Sequence, residues 1–212
     1  MQGTSRTRHP RILLVDTCTT DGFLHPYEFV NPVLRCVREA GAEPFALHYR
    51  SVQDELFGSP HRQTEICGVI ICGSALGDNE ARQDIRSFNW IGSVRVPILG
   101  IGQGMVILSV LNDGSYTPCE EIGLTRVMKL REDPVLGSPG EITVYELHCI
   151  APTLPPGFTA LARNESAIQA FRSQTGEVRG VLFHPEVRNR DIIHRFVEHC
   201  IDEKQTRASH LN

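Results

Sequence analysis

The first half of the chain alternates short apolar runs with longer segments that are bounded by turn residues. The short apolar runs predict buried parallel strands at residues 11–16, 44–49, 66–72 and 96–99. The longer segments predict helices from Asn31 to Gly41, from Glu80 to Ile91 and from Met105 to Leu111. This alternation is typical of a doubly wound α/β fold with a mostly parallel sheet and helices on both faces.

The second half of the chain has a different pattern, in which turn residues separate short strand-like runs. Five strands are predicted there, at residues 124–130, 142–148, 158–162, 167–171 and 180–183. A final helix is predicted at residues 190–203. We therefore expect a disordered extension at residues 1–10, a single domain at residues 11–203 and a frayed tail at residues 204–212.

The composition fits one α/β domain and excludes several classes of partner. The chain has 212 residues, of which 41% are hydrophobic, and this content is enough for a single core. The formal net charge is -4 with both signs interspersed, so we expect no nucleic-acid partner. The sequence lacks an apolar run of membrane-spanning length and the apolar core of a secretion signal. These features predict a cytoplasmic protein that does not contact a membrane.

Seven cysteines are scattered along the chain without the paired spacing of a structural zinc site. An odd number of cysteines in a cytosolic chain of this size predicts free thiols instead of a disulfide framework. Most of them are expected to be buried as small hydrophobic residues. We therefore expect neither a bound metal nor a cofactor.

Glycines recur at alternate positions between the fourth predicted strand and the helix that follows it. Gly100, Gly102 and Gly104 permit positive φ angles, so the chain can reverse from strand to helix without a Cβ clash. The N–H groups at the helix start then point toward whatever lies above the turn. This is the geometry of a nucleophile elbow, whose middle residue carries the nucleophile. Here that residue is Gly102, and the alternatives are a plain turn or an anion-binding turn.

A second informative stretch runs from Gly180 to Glu186 and ends in the sequence His-Pro-Glu. The apolar strand places His184 at its end, and Pro185 restrains the turn that brings Glu186 within reach of the imidazole. A histidine oriented by a carboxylate is the general-base half of a nucleophilic triad. The alternative for this stretch alone is a turn that carries a surface histidine.

The order of these motifs resembles the class I glutamine amidotransferase family over nearly the whole chain. The run GVIICGSALGD resembles a strand with its oxyanion loop, VPILGIGQGMVIL resembles the elbow, and GVLFHPEV resembles the histidine motif. Glu121-Ile122-Gly123 and Leu147-His148 match two further short segments of the family. The resemblance implies a flavodoxin-like α/β fold.

The resemblance also implies a reaction and a set of site residues. In the family, the elbow cysteine attacks the side-chain amide of glutamine, forms a thioester and releases ammonia to a partner synthetase. By this resemblance His184 is the base, Glu186 orients it, and the nucleophile position falls on Gly102. Oxyanion or ligand contacts are implied at Gly73, Ser74, Gln103, Gly104 and His148. The implied partners are a glutamine-like small molecule and a synthetase or other protein subunit.

Several residues depart from the family pattern at the implied site. Gly102 replaces the nucleophile, Val106 replaces the elbow glutamine, and Leu182 replaces the glutamine before the histidine motif. A hydrogen atom offers no lone pair to a carbonyl carbon, and loss of a triad nucleophile costs on the order of a millionfold in rate. We therefore predict a protein that keeps the fold and the pocket, lacks glutaminase activity, and binds a partner protein or a small ligand.

Three other hypotheses remain open at the level of the sequence. In the first, Cys72 or Cys149 substitutes for the missing nucleophile. In the second, His184 and Glu186 activate water, or bind a metal, to hydrolyse another amide or ester. In the third, the glycine turn binds an anion or a nucleotide at the helix N-terminus. Residues of the first loop that are expected at the same sheet edge, either in the site or solvated, are Cys18, Asp21, His25 and Glu28.

Overall fold

The computed structural model describes residues 9–19, 26–58 and 65–209. Most of the expected N-terminal extension, the loop residues Asp21 and His25, and residues 210–212 lie outside this described part. The strands are β1 (Arg11–Asp16), β2 (Glu43–His48), β3 (Ile66–Ile71), β4 (Ile98–Ile101), β5 (Tyr116–Lys129), β6 (Gly140–Pro152), β7 (Phe158–Arg163), β8 (Ile168–Ser173) and β9 (Val178–Val181). In the described residues these strands form one sheet in the order β2-β1-β3-β4-β9-β8-β7-β5-β6.

Five strands at one side of the sheet are parallel. Strands β2, β1, β3, β4 and β9 pair in this order, so their carboxyl ends meet at one edge of the sheet. Strand β4 begins two residues later than predicted and continues through Gly100, which pairs with Ile71 of β3 and Gly180 of β9. The α/β class is confirmed, and the parallel half of the sheet carries the elbow.

The other side of the sheet is antiparallel and contains two strands that are longer than predicted. Strand β5 begins at Tyr116 instead of residue 124, and β6 continues to Pro152 instead of residue 148. The first half of β5, YTPCEEIG, is too polar to show the alternating apolar pattern of a strand. It is held in the sheet by its pairing with β6, in which Tyr116 lies opposite Pro152.

The helices are α1 (Asn31–Glu39), α2 (Val52–Phe57), α3 (Glu80–Gln83), α4 (Gln103–Leu111) and α5 (Asp191–Ser209). A π-helical turn at Pro26–Val30 leads into α1, and a 3-10 helix at Ile85–Ser93 follows α3. The single helix predicted from Glu80 to Ile91 is therefore divided, because Asp84 has a non-helical ψ of 47°. Helix α2 is not predicted by the sequence, since six residues are too few for a periodic apolar pattern.

Helix α5 continues beyond residue 203, where the sequence predicts that the final helix ends. The chain is helical as far as Ser209. Lys204 donates to the backbone carbonyl of Glu65 at 3.0 Å, and Arg207 forms an ion pair with Glu177 at 3.3 Å. These contacts attach the last turns of α5 to the residues that flank β3 and β9.

Hydrophobic residues form a core on each face of the sheet. Ile12 and Leu14 of β1 pack in a cluster with α1 and α5, whereas Leu13 and Val15 pack in a cluster with α4 and the 3-10 helix. Neighbouring residues of a strand point to opposite faces, so both faces of β1 are covered, as predicted for this fold. In the described part of the chain, no helix combines the length and apolarity needed to cross a bilayer.

Replacing Gly104 by alanine should destabilise the fold, because the added Cβ would lie 2.3 Å from the backbone oxygen of Ile71. The start of α4 would have to move away from β3, and overpacking of this kind costs about 1–3 kcal/mol. Urea unfolding should show the cost as a lower midpoint. Gly92→Ala is the control, since a Cβ there meets no heavy atom within 4 Å. Equal midpoints for the two variants would contradict the close approach of helix and strand.

Candidate functional site

The candidate site is centred on the turn between β4 and α4. Gly102 has a φ of 54° and a ψ of -116°, a conformation that residues with a Cβ adopt only under strain. Its N–H donates to the carbonyl of Val181 at 2.9 Å, and its carbonyl accepts from the N–H of Met105 at 3.0 Å. The structure thus has a strand, a sharp turn and a helix, which is the geometry of a nucleophile elbow with glycine at the apex.

The two glycines beside the apex allow α4 to begin close to the sheet. A Cβ at Gly100 would lie 2.5 Å from the carbonyl carbon of Gly104, and a Cβ at Gly104 would lie 2.3 Å from the oxygen of Ile71. Gly104 therefore packs the helix against β3. The ligand contact that the family resemblance implies for Gly104 stays a prediction.

His184 and Glu186 form a buried pair beside the elbow. His184 follows the end of β9, and its backbone N–H donates to the carbonyl of Tyr145 at 2.9 Å. Its Nδ1 atom lies 2.7 Å from Oε1 of Glu186. The two residues are only 1% and 2% exposed. The structure therefore excludes a surface histidine and brings the predicted base to its predicted orienting carboxylate.

The surroundings of His184 favour its protonated form. Burial acts to lower its pKa, but the negative charge and the hydrogen bond of Glu186 outweigh burial, so the pKa of His184 lies above its ordinary value. In the neutral ring, donation from Nδ1 to Glu186 leaves Nε2 as the acceptor. A Cβ at Gly102 would lie 3.1 Å from Nε2, so the basic nitrogen faces the nucleophile position.

A cavity of about 150 Å³ opens beside the elbow, and Ser74, Gly102, Gln103 and His148 are among the residues that line it. Gly73 lies next to the apex, because its Cα would be 3.7 Å from a Cβ at Gly102. The backbone N–H of Gln103 begins α4 and has no acceptor within its own helix. Its side-chain Nε2 is buried without a hydrogen-bond partner among the described residues. The structure thus groups most of the predicted oxyanion and ligand positions around one cavity.

The cysteines considered as substitute nucleophiles differ in their surroundings. Cys72 is fully buried in the core, and burial raises the pKa of its thiol well above the ordinary value, which makes it a poor nucleophile. Cys149 is exposed and lines the cavity. In the first loop, burial likewise raises the pKa of Cys18, whereas Glu28 is exposed. All seven cysteines are free, as their spacing predicts.

Two carboxylates and an imidazole form a cluster that the sequence predicts only in part. Nε2 of His148 lies 3.4 Å from Oε2 of Glu121 and 3.3 Å from Oε2 of Glu146. The sequence motifs single out Glu121 and His148 but not Glu146. The signal that finds Glu146 is the alternation along β6, in which Val144, Glu146 and His148 all point to the buried side.

The members of this cluster have different electrostatic surroundings. Burial raises the pKa of Glu146 above its ordinary value. Burial acts to lower the pKa of His148, but contact with the Glu146 carboxylate outweighs burial and raises it. Glu121 accepts hydrogen bonds from Nδ2 of Asn164 at 2.8 Å and from Nε2 of Gln169 at 3.0 Å. Side-chain amides thus hold Glu121 in place, whereas Glu146 faces the imidazole.

The fold and the site together define a class of protein. The structure has an elbow at the carboxyl edge of a parallel sheet, and a buried histidine–glutamate pair lies at the end of the neighbouring strand. This arrangement is typical of hydrolases with a nucleophilic triad. In this chain the residue at the apex of the elbow is a glycine.

Comparison with known proteins identifies the family within this class. The family model of class-I glutamine amidotransferases matches residues 26–203. The chain therefore belongs to the class I glutamine amidotransferase family, in agreement with the resemblance of its motifs.

The similar proteins include subunits of several glutamine-hydrolysing GMP synthases. The GMP synthase subunit from Pyrococcus abyssi is 28% identical over 182 residues, which cover 82% of this chain and 94% of the relative. The same subunit from Saccharolobus solfataricus is 34% identical over 127 residues, which cover 57% of this chain and 68% of the relative.

Solved structures agree with the fold. A crystal structure from Thermoplasma acidophilum, assigned as a GMP synthase subunit, has a TM-score of 0.80 and 26% identity and covers 94% of this chain and 98% of that chain. A glutamine amidotransferase from Thermotoga maritima has a TM-score of 0.64 and 22% identity and covers 94% of this chain and 86% of that chain. At this lower identity the second structure supports the fold alone.

Glu186→Gln should lower the pKa of His184, because a neutral amide replaces the carboxylate that stabilises the imidazolium. A raised folded-state pKa stabilises the native state most below the unfolded value of about 6.5, and this contribution is lost as the pH rises through the folded pKa. The advantage of the wild type over the variant in unfolding free energy should therefore shrink with rising pH. NMR titration of His184 and urea unfolding at several pH values measure the two effects.

Glu39→Gln is the matched control for this prediction. It removes the carboxylate of a histidine–glutamate pair near the surface, where Glu39 lies 3.4 Å from Nε2 of His194. The titration of His184 should be the same in this variant as in the wild type. If the pKa of His184 were also unchanged in Glu186→Gln, the carboxylate of Glu186 would not be what raises that pKa.

Proposed function

We propose that the protein is a glutamine amidotransferase-like subunit without glutaminase activity, which acts by binding a small ligand and a partner protein. The observation that carries the proposal is glycine at the apex of the elbow. Nε2 of His184 faces this apex, where Gly102 offers only hydrogen to a carbonyl carbon. Triads that lose their nucleophile lose on the order of a millionfold in rate, which is roughly 8 kcal/mol of barrier.

The lining of the cavity supports binding more than the reaction of the family. Val106 and Leu182 place two apolar side chains on the wall, at the positions where the family resemblance implies glutamines. Gln103, His148 and Arg82 line the same cavity and supply polar groups. A small cavity with a few convergent polar groups suits a compact polar ligand. We propose a glutamine-like molecule as that ligand.

Gly102→Cys should gain glutamine hydrolysis, because a thiol at the apex would lie beside Nε2 of His184. The wild-type chain should release no ammonia from glutamine above the buffer background. Gly102→Ala is the matched control, since it adds a Cβ at the same positive φ without a sulfur atom. His184→Ala in the Gly102→Cys chain should abolish the gain. A coupled ammonia assay measures all four proteins.

Two outcomes of this assay would count against the proposal. Glutaminase activity in the wild-type chain would overturn the absence of catalysis, and Cys149→Ser would then test the exposed thiol that lines the cavity. A silent Gly102→Cys chain that is folded would overturn the glutamine-like ligand, because the pocket would then have diverged in more than its nucleophile.

A second candidate function is hydrolysis of another amide or ester. The observation that favours it is the contact of 2.7 Å between His184 and Glu186, both almost fully buried, beside a glycine that leaves room for water. In this mechanism Nε2 removes a proton from the water as the water attacks the carbonyl carbon, and it returns that proton to the amine or alcohol that leaves as the C–N or C–O bond breaks. Assays of the wild-type chain and of His184→Ala with a panel of amides and esters test this second function. Hydrolysis by the wild type that His184→Ala abolishes would support it. A wild-type chain that hydrolyses no member of the panel would exclude it for those substrates.

The partner that we propose is a synthetase subunit. Several relatives are subunits of GMP synthase, and such a name implies at least one further chain. The outer face of β5 carries three exposed apolar side chains, Ile122 at 58%, Leu124 at 65% and Met128 at 45%, with the charged Arg126 between the last two. Exposed large apolar side chains that are grouped on one strand are typical of a protein interface. We therefore propose this face of β5 as the surface that contacts the synthetase subunit.

Replacing Ile122 and Leu124 together by lysine should weaken association with the synthetase subunit of GMP synthase from the same organism. Charges placed in the centre of an apolar interface should raise Kd by about tenfold or more. Isothermal titration calorimetry with the two purified chains measures the change. Leu154→Lys is the control, because Leu154 is 37% exposed and lies outside β5. No association of the wild-type chain, or an unchanged Kd for the double variant, would contradict this partner or this surface.

A further inference from the structure

Three ionisable side chains converge where β5 and β6 pair, outside the elbow. Glu121 of β5 lies opposite His148 of β6, and Glu146 precedes His148 by two residues on the same face. One carboxylate oxygen from each glutamate and one ring nitrogen of His148 all lie within 4.8 Å of one another. Because the groups belong to two paired strands, the sheet sets their relative positions.

The backbone fixes the orientation of the imidazole in this cluster. Nδ1 of His148 lies 2.9 Å from the carbonyl oxygen of Cys119, and because a carbonyl only accepts, Nδ1 carries the hydrogen. Nε2 then faces Oε2 of Glu121 at 3.4 Å and Oε2 of Glu146 at 3.3 Å. Nε2 has no hydrogen-bond partner among the described residues, so these separations are contacts without hydrogen-bond geometry.

The cluster contains more acidic than basic groups, and one of the acidic groups is fully buried. Glu146 is 0% exposed, and within the described residues neither of its carboxylate oxygens has a hydrogen-bond partner. When both carboxyl groups are ionised, even the imidazolium form of His148 leaves one negative charge of the cluster uncompensated. A buried carboxylate without hydrogen-bond donors is unfavourable unless a proton or a cation neutralises it. One divalent cation would balance both carboxylates and leave His148 neutral.

We propose that Glu121, Glu146 and His148 bind a divalent transition metal, with Zn²⁺ as the ion that fits best. Zinc binds nitrogen at about 2.0–2.1 Å and oxygen at about 2.0–2.2 Å, which in a tetrahedron places a nitrogen ligand about 3.3–3.4 Å from an oxygen ligand. The separations of 3.4 and 3.3 Å from Nε2 match this edge of the tetrahedron. The expectation of no metal comes from cysteine spacing, which carries no information on carboxylate ligands.

Groups around the cluster orient the proposed ligands. The carbonyl of Cys119 holds Nδ1 of His148 and so directs Nε2 inward. Asn164 and Gln169 donate to the carboxylate of Glu121 and restrict its rotation. Metal-binding histidines and carboxylates are commonly held in this way by a second layer of hydrogen bonds.

Three protein ligands leave one position of the tetrahedron for another molecule. Of the three proposed ligands, His148 lines the cavity of about 150 Å³ beside the elbow, whereas Glu121 lines a separate cavity. Water or an anionic group of the bound ligand, such as a carboxylate, would complete the coordination. The metal would then select ligands that carry a negative charge.

Metal binding is tested with the full chain after a chelator has removed bound ions. Calorimetric titration with Zn²⁺ should give one site per chain, and Co²⁺ should give the visible absorption of a four-coordinate ion. Glu121→Gln and Glu146→Gln should each weaken Zn²⁺ binding by about 100-fold or more, since loss of an outer-layer group alone costs 10–100-fold. Glu39→Gln is the matched control, because it changes the separate group formed by Cys36, Glu39 and His194.

Thermal unfolding distinguishes loss of a ligand from loss of the fold. Zn²⁺ should raise the unfolding midpoint of the wild type and of Glu39→Gln, but not that of the two cluster variants. Three outcomes would each overturn the proposal. The wild-type chain could bind neither Zn²⁺ nor Co²⁺, or the cluster variants could bind as tightly as the wild type. The third outcome is a cobalt spectrum with a thiolate charge-transfer band, which would show a cysteine ligand. The ligands do not belong to the elbow, so this outcome is independent of the glutaminase assay.

Discussion

The contact on which the site depends is the close approach of α4 to strands β3 and β4. A side chain at Gly100 or Gly104 would overlap backbone atoms of the helix start or of Ile71. The approach determines where the helix begins, and therefore the direction of the N–H of Gln103 and the position of Gly102 at the edge of the sheet. The geometry of the elbow is thus a property of backbone packing, and it is complete without a side chain at the apex.

The buried histidine–glutamate pair adds a chemical constraint to this packing. Removing two ionisable groups from water costs free energy, and a contact of 2.7 Å offsets that cost only in part. In proteins, replacement of a buried ion pair by apolar residues of similar size is often neutral or stabilising. We therefore interpret the pair as part of a site that still selects what it binds, beside an apex that offers no nucleophile.

The sequence predicts those parts of the structure that local requirements determine. The elbow follows from glycines at three alternate positions, and the buried pair follows from a strand that ends in His184 with Glu186 two residues later. The full length of β5 and the break at Asp84 depend on pairing and packing with distant residues, so local patterns do not reveal them. Glu146 is missed because it belongs to none of the sequence motifs, although the alternation along β6 places it on the same buried face as His148.

The positive φ of Gly102 affects how such a protein changes over evolutionary time. Glycine adopts this conformation without a steric penalty, whereas a residue with a Cβ is destabilised there by about 1–3 kcal/mol. A member of the family with a nucleophilic side chain at the apex therefore folds against a strain that this chain lacks. Selection for stability alone retains the glycine. A change from glycine to a nucleophilic residue at the apex would have to offset that strain.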